Sequence, residues 1–125
     1  AGHPYPLLIA PDGTVSFFKT ADNLPLGVTS DYEYEEQECY FAPGSQLLFY
    51  TNGVSEAQNE QSKFYKIDRL FNLVVSHSQL APRQMVDKVV GDVKRFVGKA
   101  EQSDDLTVMS FRLNPRGKKK IEGLL

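Results

Sequence analysis

The chain has 125 residues, with 14 Lys and Arg against 16 Asp and Glu and a net charge of −2. That near-neutral balance leaves no electrostatic footprint for nucleic acid, and no apolar run reaches the length of a membrane span. With 41% hydrophobic and 24% charged residues, the composition fits one soluble domain with one core.

The single cysteine, Cys39, excludes an internal disulfide and fits a reducing, cytoplasmic compartment. The sequence opens Ala1-Gly2-His3-Pro4 without an initiator methionine, which suggests a piece of something longer, or processing, or trimming.

Residues 6–10 (PLLIA) and 14–19 (TVSFFK) read as two strands of a hairpin around the turn Pro11-Asp12-Gly13. Residues 23–28 are irregular, broken by Pro25 and Gly27. Residues 32–41 (YEYEEQECYF) partly alternate, so the pattern predicts a strand with Tyr32 and Tyr34 toward the core. Glu33, Glu35, Glu36 and Glu38 then form a solvated face, a commoner role for such charges than a metal site.

The apolar run Leu47-Leu48-Phe49-Tyr50 predicts a buried central strand that stops at Thr51-Asn52-Gly53. Helical spacing predicts one amphipathic helix over 67–77 and a second that starts at Pro82 and stops near Gly98. Residues 106–113 (LTVMSFRL) read as a last strand. Residues 1–113 are thus one unit, and 114–125 a basic, flexible tail. The order of elements gives an α+β fold with mainly antiparallel pairing.

Two strand ends carry side-chain oxygen: Asn52 after the central strand, and Asp104-Asp105 before the last. If those strands are antiparallel neighbours, the end of one lies beside the start of the other and the oxygens meet at one rim. Oxygen donors suit Mg²⁺ and Mn²⁺. The residues alone leave a plain reading open as well, since Asn-Gly is a strong hairpin signal and Asp is common in loops. Zinc spacing, a glycine-rich phosphate loop and a nucleophile elbow are all missing from the sequence.

Several blocks occur together, in order: Ala1-Gly2-His3-Pro4-Tyr5-Pro6-Leu7-Leu8, Leu24-Pro25-Leu26-Gly27-Val28, Pro43-Gly44, Tyr50-Thr51-Asn52-Gly53-Val54-Ser55-Glu56-Ala57, and Ser103-Asp104-Asp105-Leu106-Thr107. In combination they resemble the C-terminal half of the SpoIIE/RsbU-type branch of the PPM (PP2C-like) protein serine phosphatases. The resemblance implies a sandwich of antiparallel sheets flanked by helices, with two Mn²⁺ or Mg²⁺ ions at one edge. It also implies hydrolysis of a phosphoserine protein, such as an anti-anti-sigma (STAS) protein in bacterial sigma-factor regulation.

By the same resemblance the metal-site residues are Asp104, Asn52, Gly53 and Asp105, with Asn52 at the position of a ligand aspartate. Because an amide brings no charge, the resemblance carries an alternative, a non-catalytic pseudo-phosphatase that binds its phosphoprotein without turnover. In either case this piece alone is expected to bind metal weakly and to be inactive. Half of a sandwich leaves apolar sheet uncovered, so a homo-oligomer is a further expectation.

Overall fold

The computed structural model describes residues 3–101 and 104–114. Its elements are β1 (Leu7–Ile9), β2 (Val15–Phe17), β3 (Gln46–Tyr50), α1 (Asn52–Ser55), α2 (Ile67–Ser76), α3 (Pro82–Val97) and β4 (Val108–Arg112). The strands form one antiparallel sheet in the order β2-β1-β3-β4. The hairpin, the central strand, both long helices and the last strand stand where their patterns predict them. Of the expected sandwich, one sheet lies among the described residues. Apart from Asn114, the basic tail lies outside them.

The period of two along each strand assigns the sheet faces. Pairing of Leu7 with Leu48, and of Ile9 with Gln46 and Val15, puts these residues on one face, together with Tyr50. Helices α2 and α3 cover that face with Leu70, Val74, Met85, Val89 and Val93, all buried. Each such side chain contributes about 1.5–3 kcal/mol by leaving water. Buried Gln46 belongs to the same face and is fully partnered. Its Nε2 donates to Ser110 Oγ at 2.7 Å, and Arg112 donates to its Oε1 at 3.1 Å. Burial also pushes the Tyr50 hydroxyl up to about 12, while that hydroxyl donates to the Tyr5 carbonyl at 2.9 Å.

Helix α3 starts as its sequence dictates. Pro82 needs no N–H partner, and Gln84 Oε1 accepts from the Ala81 N–H at 3.1 Å. It stops at Gly98, whose φ of +61° suits a residue without Cβ. His77 ends α2, where Nδ1 donates to the Leu73 carbonyl at 2.9 Å, so it serves the helix end.

A charged staple joins α2 and the segment before it to α3. Tyr65 donates to Asp92 Oδ2 at 2.6 Å and Arg69 Nε donates to the same oxygen at 3.2 Å. The Arg69 guanidinium lies 5.2 Å from the Tyr65 ring centroid and 4.7 Å from that of Phe96. Partial burial works to raise the Asp92 carboxyl, but the hydrogen bonds from Tyr65 and Arg69 and the charges of Arg69 and Arg95 outweigh it. The net result lies below the ordinary 3.8. A lowered folded-state value means stability that is present above 3.8 and lost as pH falls through the folded value. Asp92→Asn should therefore lower Tm near neutral pH, and the deficit should shrink in acid below 3.8. Thermal unfolding of both proteins across pH checks this; a deficit that persists unchanged into acid contradicts it.

One predicted element is corrected. Residues 32–41 form no strand. Tyr34 is exposed, and Tyr32 packs edge-on against it, with ring centroids 4.8 Å apart, rather than entering the core. Alternation prepares a strand, but a ladder needs a partner edge, and none among the described residues pairs with this stretch. Side-chain bonds tie it down instead: Asn23 Oδ1 accepts from the Glu35 N–H at 2.8 Å, and Asn23 Nδ2 donates to the Glu35 carbonyl at 3.0 Å. Between this stretch and the second sheet face lies a cavity of about 710 Å³ lined by Phe18, Phe41, Leu47 and Phe49 among others. Farther along that face Met109 and Phe111 are exposed.

Candidate metal-binding rim

Strands β3 and β4 are antiparallel neighbours, with Tyr50 opposite Val108. The pairing runs one step past the strands, where the Thr51 N–H donates to the Thr107 carbonyl at 3.1 Å. The chain leaving β3 and the chain entering β4 therefore share one rim.

Asn52 and Gly53 do not make a hairpin turn there. They open the one-turn helix α1, whose Val54 N–H donates to the Thr51 carbonyl at 3.0 Å. Fully buried Val54 anchors that turn in the core. Asn52 itself stays exposed at the rim, as do Asp104 and Asp105.

Gly53 is required by a close approach rather than by its dihedral. A Cβ placed there would lie 2.0 Å from the Asp105 carbonyl oxygen and 2.8 Å from its carbon. The Thr51 hydroxyl donates to the same Asp105 carbonyl at 3.3 Å. Thr51 Oγ1 also accepts from the Thr107 N–H at 3.2 Å. Upstream, Asp104 Oδ1 accepts from the Asp105 N–H at 2.8 Å, a local turn that orients the acidic pair.

Asn52, Asp104 and Asp105 thus line one open cleft of about 290 Å³, with His3, Pro4, Thr51 and Thr107. The convergence expected from the sequence is present. Gly53 stands behind the cleft wall, and its visible contribution is steric. The sequence reading gave Thr51 and Thr107 no role. Their signal was position, since Thr51 follows the apolar run and Thr107 follows the acidic doublet.

Asn52, Asp104 and Asp105 offer only oxygen donors, the kind that Mn²⁺ and Mg²⁺ take. Their number is small. Among the described residues no group of three or more His, Cys, Asp or Glu is placed to hold a metal ion. The rim fits such a cation in kind and would supply only part of its shell.

The profile of the Stage II sporulation protein E (SpoIIE) family matches residues 1–114. The chain belongs to the SpoIIE family. No curated protein matches it. Among solved structures it is similar to the SiaA PP2C domain of Pseudomonas aeruginosa, at 22% identity and a TM-score of 0.69, covering 88% of this chain and 43% of that one. It is also similar to the RsbU and RsbW domains of a Mycobacterium tuberculosis protein, at 22% identity and a TM-score of 0.67, covering 92% of this chain and 31% of that one. A third likeness is to the phosphatase domain of SpoIIE from Bacillus subtilis, presoaked with Mn, at 21% identity and a TM-score of 0.56. That match covers 90% of this chain and 48% of the other.

This SpoIIE-family chain therefore carries a partial PP2C-like fold and spans less than half of each of these structures. No described helix is long and apolar enough to cross a membrane.

Proposed function

We propose that the full-length protein is a metal-dependent protein serine/threonine phosphatase and that this segment supplies one side of its cation site. The observation that carries this reading is the convergence of Asn52 with Asp104 and Asp105 in one cleft at the β3–β4 rim. In it, Asp104 and Asp105 offer charge, Asn52 offers a neutral amide oxygen, and the remaining ligands come from outside the segment. Bound Mn²⁺ or Mg²⁺ would supply electrostatic stabilisation of a phosphoryl group and a water of lowered pKa. The segment's own task is to hold those oxygens in fixed register, which strand-end placement does better than a free loop. His3 lines the same cleft, and on this reading its ring N–H would donate to a phosphate oxygen. The substrate class is a phosphoserine protein of the anti-anti-sigma (STAS) type.

The test is phosphate release from a phosphoserine STAS protein by the full-length protein, with saturating Mn²⁺ and with chelator. Release with Mn²⁺ that the chelator abolishes is the expected result. Absence of release at saturating metal overturns the enzyme reading. Asn52 favours a second reading, a pseudo-phosphatase: an uncharged ligand where charge matters most. That reading expects phosphoprotein binding without phosphate release in the same assay.

A further inference from the structure

We propose that Thr51 is a positioning residue of the cation site, its hydroxyl setting the register between Asn52 and the Asp104-Asp105 pair. The inference rests on the metal-site reading above and adds to it a residue that is not itself a ligand.

The argument starts from what one hydroxyl does. Thr51 Oγ1 accepts from the Thr107 N–H at 3.2 Å and donates to the Asp105 carbonyl at 3.3 Å. It uses both its acceptor and donor capacity across the rim. The Asp105 carbonyl thus accepts from this hydroxyl and lies so close to Gly53 that a Cβ there would stand 2.0 Å from its oxygen. Asn52 sits between Thr51 and Gly53 in sequence, so the same contacts fix its backbone. Both carboxylates belong to that strand entry or to the residue before it.

Regular ladder pairing ends at Tyr50 and Val108. Beyond them, a main-chain bond from Thr51 to Thr107 and these two side-chain bonds are among those that join the rim chains. Without the hydroxyl the Asp105 carbonyl loses this bond, and the acidic pair gains freedom relative to Asn52. Groups that orient ligands in this way change metal affinity by about tenfold to hundredfold when removed. A role in stability alone would leave affinity in place.

Those roles separate on Thr51→Val, which keeps the branched shape and removes the hydroxyl, and Thr51→Ser, which keeps the hydroxyl. The measurement is binding of Mn²⁺ alone to the full-length protein, read from the loss of the free-ion electron paramagnetic resonance signal. The Tm of each metal-free protein is recorded beside it. Thr51→Val should weaken Mn²⁺ binding at least about tenfold, and Thr51→Ser should restore it to within about twofold.

If Thr51→Val lowers Tm and binds Mn²⁺ like the parent, the residue is structural and the inference is overturned. Equal weakening by Thr51→Ser overturns it too, because the methyl group would then be what matters. A parent protein that takes up no Mn²⁺ defeats the metal-site reading itself, a distinct result. Should Thr51→Val fail to fold, the comparison is repeated with Gly91→Ala added, where the new methyl meets no atom within 4 Å. In that background the same two outcomes decide.

Discussion

Gly53→Ala should damage the rim more than a methyl added at any other described glycine. The new Cβ would meet the Asp105 carbonyl oxygen at 2.0 Å, and that obstacle is backbone, not the far end of a flexible side chain. Relief requires α1 to move away from the β4 entry, against fully buried Val54 on one side and the Thr51 bonds on the other. Forcing volume into a packed site typically costs about 1–3 kcal/mol, and an obstacle of main chain belongs at or above the top of that range. Urea unfolding should show a clearly lower midpoint. Gly91→Ala is the matched control: its methyl enters open space on a helix and should be neutral or stabilising by up to about 1 kcal/mol. A Gly53→Ala midpoint equal to that of the parent would mean that α1 and Asp105 are not held in contact.

Asn52→Asp should tighten metal binding and separate the two functional readings. Two unit charges 4 Å apart interact by about 4 kcal/mol at an effective dielectric of about 20, and a divalent ion doubles this. Desolvation of the new carboxylate cancels much of the gain, as does repulsion from Asp104 and Asp105. A net tightening of Mn²⁺ binding by about tenfold to hundredfold remains the expectation.

The sign reverses without metal. A third carboxylate beside two others adds like charge, so the metal-free variant should melt below the parent. With Mn²⁺ it should melt above the parent, because binding to the folded state alone stabilises it. Melting of both full-length proteins with Mn²⁺ and with chelator measures this crossing. If phosphatase activity rises with affinity, the asparagine is what restrains the enzyme. If neither changes, Asn52 is not a ligand position and the rim needs another explanation.

The parts legible in the sequence are those whose signal is local. The period of the apolar residues in α2 and α3 marks the helices, and Pro82 and Gly98 mark the ends of the second within one residue. The run from Leu47 to Tyr50 reads as a strand because burial on both faces removes its polar alternation; Leu48 and Tyr50 meet the helices while Leu47 floors the cavity. Residues 32–41 carry an equally good local signal and form no strand. Strand formation is a property of pairs of segments, and no partner among the described residues supplies the other half of the ladder.

The acidic doublet and Asn52 were visible as residue types at strand ends. That they share a cleft followed only from the antiparallel neighbourhood of β3 and β4, which the sequence poses as a condition without settling it. The roles of Thr51 and Gly53 were less legible still. A threonine before Asn-Gly looks like turn chemistry, and a glycine there looks like a dihedral requirement. In the fold Gly53 opens a helix and is needed because a carbonyl from 52 residues downstream presses on it.

By itself, then, the sequence determined the helices, the hairpin, the central strand and the stock of oxygen donors, because each depends on neighbours within a few residues. Tertiary structure alone decided which strand ends meet, which glycine cannot take a methyl group, and which hydroxyl bridges the rim. Those facts depend on the register between chains more than 50 residues apart, and no local pattern encodes that distance.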